Sequence, residues 1–197
     1  TWILTKPKNQ LIMKILLISA RYLPHKGGLI SVVQHLASEF TRQGHVVRVV
    51  ANCYPKNLRR QEVIKGVVVD RLHFLLPEKE QLGAGRFDLF FAGLWFKFWT
   101  RQQLKRVIQD FKPYVINNHY LNAVADFTGG CLQTINEDIP WVISLHGGDV
   151  DGEPLQNEKK RLRFIRVSQQ ADRLTACSKF PEEPSIALEP SLQSKIY

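Results

Sequence analysis

The sequence predicts an α/β fold, a Rossmann-like three-layer sandwich built on a mostly parallel sheet. Three observations predict it. Short apolar runs alternate with helical patterns along the chain, as parallel strands joined by crossover helices require. The first run, residues 14–20 (KILLISA), is apolar on both of its faces, as a strand buried on both sides must be. That run leads through a Pro/Gly loop, residues 21–28, into an amphipathic helix.

Each element has its own signature. The first helix begins near Leu29, and Leu29, Val32, Val33, Leu36, Ala37 and Phe40 follow the i, i+3, i+4 rule. Gly44 ends it, with Arg42 in the last turn where a cation suits the helix dipole. Residues 46–51 (VVRVVA) read as the second strand. A polar connection, residues 52–61, leads to a strand pair at Val63–Ile64 and residues 67–74, then to a loop from Pro77 to Gly85. Residues 86–111 read as one long helix ended by Pro113. Its first half is dense in aromatics, and Phe87, Phe91, Leu94 and Phe98 form one stripe expected to face the core. A strand at residues 114–117 precedes a loop Asn118-His119-Tyr120 and a helix at about 121–136. A strand at 141–145 precedes the loop His146-Gly147-Gly148-Asp149. A charged helix at about 156–170 and a strand at 173–177 follow. Residues 181–197, with three prolines, read as a tail or the start of an interdomain linker. Residues 1–12, upstream of the only methionine, read as an extension outside the fold, leaving residues 13–180 as the domain.

Composition narrows the function classes. The net charge of +9 favours anionic partners: a nucleotide, a phosphorylated substrate, nucleic acid or an acidic membrane surface. Three scattered cysteines, Cys53, Cys131 and Cys177, make neither a disulfide framework nor a zinc motif, and they fit a reducing, cytoplasmic compartment. No apolar run reaches the roughly 18 residues of a spanning helix. The segment from Arg86 to Arg106 mixes Trp and Phe with Lys and Arg. It reads as a core helix, as an anionic membrane surface contact, or as a base-stacking surface.

Ligands of open parallel sheets bind beyond the carboxyl ends of the strands. Three polar clusters fall at such ends. Gly27-Gly28 opens a helix, and adjacent glycines there present backbone N–H groups to an anion. The loop is neither a Walker A sequence nor G-x-G-x-x-G. The other two clusters are Asn118-His119-Tyr120 and His146-Gly147-Gly148-Asp149, whose His146 and Asp149 can work as a hydrogen-bonded pair. Ser144 and Ser178 lack a nucleophile elbow, and the histidines lack metal-ligand spacing, so neither a serine nucleophile nor a metal is expected.

These pieces resemble the N-terminal domain of family 4 (group 1) retaining glycosyltransferases. The resemblance is carried in order by the KILLIS start, the P-x-x-G-G loop and RQGHVVRVVA of residues 13–52, KPYVIN (112–117), SLHGGD (144–149) and ADRLTACS (171–178). Tyr114 stands where the family has Asp. The resemblance implies a GT-B fold of two Rossmann-like domains, of which this chain is the N-terminal half, with the C-terminal donor-binding domain absent. It implies transfer of a sugar from a nucleotide-sugar, the co-substrate, to a sugar or lipid-linked acceptor hydroxyl, with retention and no further cofactor. Polysaccharide or glycolipid synthesis at the inner face of a membrane is the implied setting, and these residues alone are expected to be inactive. Carried onto this sequence, Gly27 and Gly28 lie near the donor diphosphate. His146 lies beside the reacting sugar as the catalytic residue, and His119, Tyr120, Asp149 and Ser178 line the acceptor side. Two further readings stay open: a non-catalytic module holding a phosphorylated or sugar ligand, and, against expectation, a nucleic-acid binder.

Overall fold

The computed structural model describes residues 11–55, 57–74, 87–135, 137–150 and 157–197. Most of the expected extension and the loop from Pro77 to Gly85 lie outside the described residues.

Among the described residues seven strands form one sheet: β1 (Lys14–Ser19), β2 (Val46–Asn52), β3 (Gln61–Ile64), β4 (Val67–Leu72), β5 (Val115–His119), β6 (Trp141–Leu145) and β7 (Arg173–Ala176). Their order is β3-β4-β2-β1-β5-β6-β7. Every pairing is parallel except β3 with β4, a hairpin turned by Lys65 (φ 51°) and Gly66 (φ 81°). Helices α1 (Gly28–Arg42), α2 (Phe87–Phe111), α3 (Ala123–Leu132), α4 (Glu158–Gln170) and α5 (Lys179–Leu188) fill the crossovers and the C-terminal end. The expected α/β sandwich is therefore the observed one.

The alternation along β1 divides the core. Ile15 and Leu17 pack with Val33 and Ala37 of α1, while Leu16 and Ile18 face Leu104 and Ile108 of α2. Because β1 is covered on both faces, its run needs no polar interruption.

Three elements differ from the sequence expectation. Asn118 and His119 are not in a loop. They end β5, paired opposite Ile18 and Ser19 of β1, because their side chains find partners inside the protein. Asn118 accepts the Trp141 indole N–H at 2.8 Å and donates toward Thr128 Oγ1 at 3.4 Å. The stripe expected to line the core on α2 faces outward instead: Phe91 and Phe98 are 64% and 56% exposed. The buried face of α2 is made by Thr100, Leu104, Val107, Ile108 and Phe111. Finally, residues 179–197 are ordered structure. Ser178 caps α5 by accepting the Phe180 N–H, and Pro181 falls in the first turn, where no N–H is needed. A 3₁₀ turn, Pro190–Ser194, follows and buries Leu192 in the core. The last residues run along β7: Leu174 N–H donates to the Lys195 carbonyl at 2.9 Å, Ala176 N–H to Tyr197 at 2.9 Å, and Tyr197 N–H to Leu174 at 3.1 Å.

Candidate active site

Strand register decides which side chains share an edge. Ser19 of β1 lies opposite both Ala51 of β2 and His119 of β5, and His119 lies opposite Ser144 of β6. The carboxyl ends of these strands therefore form one row, and the loops that leave them rim one edge. Chain order reverses beside β1, which makes the β1–β5 boundary the crevice of the sheet.

The glycine loop sits at this edge. Gly27 takes φ 155°, a backbone state that favours glycine, and its carbonyl accepts the Ser31 N–H at 3.0 Å. No side chain caps α1 and no acidic residue occupies its first turn. A Cβ built on Gly28 would meet nothing within 4 Å, so the space beside the helix end is open. Uncapped N–H groups and the positive end of the helix dipole suit an anion there.

The loop's shape depends on a residue the sequence analysis did not single out. Arg71 in β4 is fully buried and donates to the Leu23 carbonyl at 2.5 Å, tying the loop to the sheet. Its charge is met by Glu62 of β3 at 2.6 Å. An arginine inside the run VVVDRL was the available signal, because such a charge is buried only when paired.

Across the crevice two histidines touch. His119 Nδ1 and His146 Nε2 are 3.2 Å apart, one of them donating. Burial holds both rings below the ordinary imidazole range. The His119 pKa falls to about 3, through burial first and then repulsion from His146. His146 is lowered by burial, with Asp149 pulling the other way. The pair is therefore neutral at physiological pH and shares a single N–H between the facing nitrogens. His119 Nε2 is buried and has no hydrogen-bond partner among the described residues. His146 is less buried. His146 can thus accept a proton from, or donate one to, a group in the crevice, while His119 fixes the ring.

Asp149 does not bond the imidazole, contrary to the paired reading. Its two oxygens accept the His146 and Leu121 backbone N–H groups, each at 3.0 Å, in a buried position. It clamps the β5 and β6 loops together and acts on His146 through its charge. Tyr120 adopts φ 79°, and a Cβ on Gly148 would lie 2.8 Å from the Tyr120 hydroxyl oxygen, so only glycine allows this approach. Gly147 takes φ 97°. Each position of the His-Gly-Gly-Asp sequence thus has a stated geometric need. Ser178 lies two residues past the end of β7 instead of ending the strand, and its hydroxyl is used in capping α5. Among the described residues no group of three His, Cys, Asp or Glu is placed to hold a metal ion.

A profile for glycosyltransferase family 4 matches residues 26–183, which include Gly27 and Gly28, both histidines and Ser178. The chain belongs to glycosyltransferase family 4. Known structures of glycosyltransferases share the fold of this family 4 domain. Sucrose-phosphate synthase from Thermosynechococcus elongatus superposes with a TM-score of 0.63 at 17% identity, covering 94% of this chain and 47% of that one. The catalytic domain of starch synthase IV from Arabidopsis thaliana, bound to ADP and acarbose, gives 0.58 at 12%, covering 94% and 51%. An α,α-trehalose-phosphate synthase from Burkholderia vietnamiensis gives 0.58 at 12%, covering 93% and 44%. At these identities the likeness is one of fold, the GT-B fold. The family 4 chain spans about half the length of these structures. No curated protein matches it.

Proposed function

We propose that this family 4 domain forms the acceptor side of a glycosyltransferase that moves a sugar from a nucleotide-sugar to an acceptor hydroxyl with retention. The reading rests on family membership together with one observation: the open, uncapped end of α1 and the His119–His146 pair rim the same edge of the sheet.

In this reading Gly27 and Gly28 hold the donor diphosphate through backbone N–H groups and stabilise the charge that develops on it as the sugar leaves. His146, neutral and fixed by His119, orients the reacting sugar or the acceptor hydroxyl and is the catalytic residue. Tyr120 and the loop clamped by Asp149 shape the acceptor side, with His119 and Ser178 behind it. No metal or further cofactor is required. The nucleobase and ribose are held by a second, donor-binding domain, so residues 1–197 alone turn over negligibly. The acceptor is a growing polysaccharide or a glycolipid, and the domain works at the cytoplasmic face of a membrane. Free cysteines and the exposed aromatic side of α2 support that setting. No helix among the described residues is long and apolar enough to cross a membrane.

The test is transfer and nucleotide binding with a panel of nucleotide-sugars, on this chain and on a version extended by a donor domain. The reading predicts turnover by the extended protein only, lost by about 100-fold or more in His146→Ala. Unchanged turnover in His146→Ala, or tight nucleotide-sugar turnover by this chain alone, overturns it.

A further inference from the structure

Two neighbouring features of α2 have no part in the transfer chemistry. Phe91, Leu94, Trp95 and Phe98 form an exposed ridge pointing away from the sheet. Around the helix from this ridge lies a pocket of about 320 Å³ between α2, α3 and α4. Its charged walls are Lys97 and Arg101 of α2, Asp126 of α3, and Arg163 and Arg166 of α4. Leu94 and Phe98 stand seven and three residues before Arg101, so ridge and pocket share a helical border.

The charges in the pocket do not balance. Asp126 accepts from Arg166 at 2.8 and 2.9 Å and lies 3.6 Å from Arg163. Lys97 and Arg101 face no carboxylate among the described residues. Arg101 gives one N–H to the Gly130 carbonyl at 3.2 Å, and its Nε is buried with no acceptor. Among the described residues, four cations against one carboxylate leave three positive charges around a cavity of a size that holds a phosphate. A phosphate ester supplies what is missing: negative charge and several acceptor oxygens matched to guanidinium forks.

We propose that this pocket receives the phosphate headgroup of an anionic lipid while the Phe91–Phe98 ridge enters the bilayer interface. The ridge decides between a lipid and a free phosphate. A soluble phosphate gains nothing from exposed Trp and Phe beside it, whereas an amphipathic lipid surface satisfies both features at once. The proposal rests on the membrane setting given above and not on the transfer reaction, so vesicle binding and sugar transfer are read separately.

The test uses the full chain in flotation with phosphatidylcholine vesicles, with and without phosphatidylglycerol, and titration with inorganic phosphate. Binding is expected only to vesicles containing phosphatidylglycerol. It should fall about tenfold or more in the pair Lys97→Gln and Arg101→Gln. The pair Arg59→Gln and Lys65→Gln removes the same charge beside β3 and should cost no more than about twofold. Trp95→Ser with Phe98→Ser should abolish binding with the pocket intact. Asp126→Asn, which adds positive charge to the pocket, should tighten binding about threefold and guards against a misfolded Arg101 variant. Equal losses from both cation pairs would reduce the site to diffuse charge and overturn it. So would displacement by inorganic phosphate at equal phosphate concentration, weaker or unchanged binding in Asp126→Asn, or preference for RNA over vesicles.

Discussion

Two adjacent glycines on α3 meet opposite fates in the fold. A Cβ on Gly129 would lie 2.7 Å from Trp141, whose ring cannot retreat because its N–H is bonded to Asn118 in the core. A Cβ on Gly130 would lie 3.3 Å from the end of the flexible Arg101 side chain. Alanine gains about 1 kcal/mol over glycine in a helix, but overpacking a core costs about 1–3 kcal/mol. Gly129→Ala should therefore lose up to about 2 kcal/mol, and Gly130→Ala should be neutral or gain up to about 1 kcal/mol. Urea unfolding of the two variants checks both. At this scale the sequence was readable where a residue's chemistry names its task. The glycine pair and His146 are legible as candidates because backbone freedom and an ionisable ring at a strand end are visible in one dimension. The role of Asp149 was not. A carboxylate three residues after a histidine can bond the ring or the backbone, and only the turn through Gly147 and Gly148 directs it to the backbone.

Elements show where periodicity falls short. On α2, Phe91, Leu94 and Phe98 repeat as regularly as Leu104, Ile108 and Phe111, yet the first set is exposed and the second buried. A helical repeat marks a face and does not say which face is covered, and with aromatics on both sides the polarity contrast is too weak to decide. Asn118 and His119 were read out of β5 because polar residues disfavour strands, and pairing with β1 overrides that preference. The prolines of α5 hid a helix whose N-cap, Ser178, was in plain view. The β3–β4 hairpin, by contrast, was legible from its apolar runs, and it carries a testable load. Its Glu62 neutralises the buried Arg71 that holds the glycine loop. Glu62→Gln should cost about 3 kcal/mol by leaving that guanidinium uncompensated. Replacing both, Glu62→Leu with Arg71→Met, should return part of the loss, as read by the urea midpoint.

The whole molecule should answer to acid through its histidine pair. The folded His119 takes a proton only near pH 3, whereas an unfolded chain takes it near the ordinary value of 6.5. Protons then favour the unfolded chain. The stability held above pH 6.5 is lost as pH falls toward 3, by up to about 1.4 kcal/mol per pH unit for this one group. His146, lowered in the same direction, adds to the loss below its ordinary value. Because carboxylates also contribute to acid unfolding, the informative measurement is the difference in slope between the native protein and His119→Gln. A flatter curve for the variant between pH 6.5 and 4 is expected. A second property follows from the pairing of residues 195–197 along β7. A parallel sheet that ends on a bare strand offers unpaired N–H and C=O groups to any other chain. Here the outer side of β7 is occupied from within by residues 195–197, with the Tyr197 ring under the Arg173 guanidinium at 5.7 Å. Those residues leave fewer open backbone groups on that edge, which should oppose edge-to-edge aggregation. A chain cut after Ser194 should self-associate with rising concentration in light scattering, while one carrying Tyr197→Ala, whose backbone still pairs, should stay monodisperse.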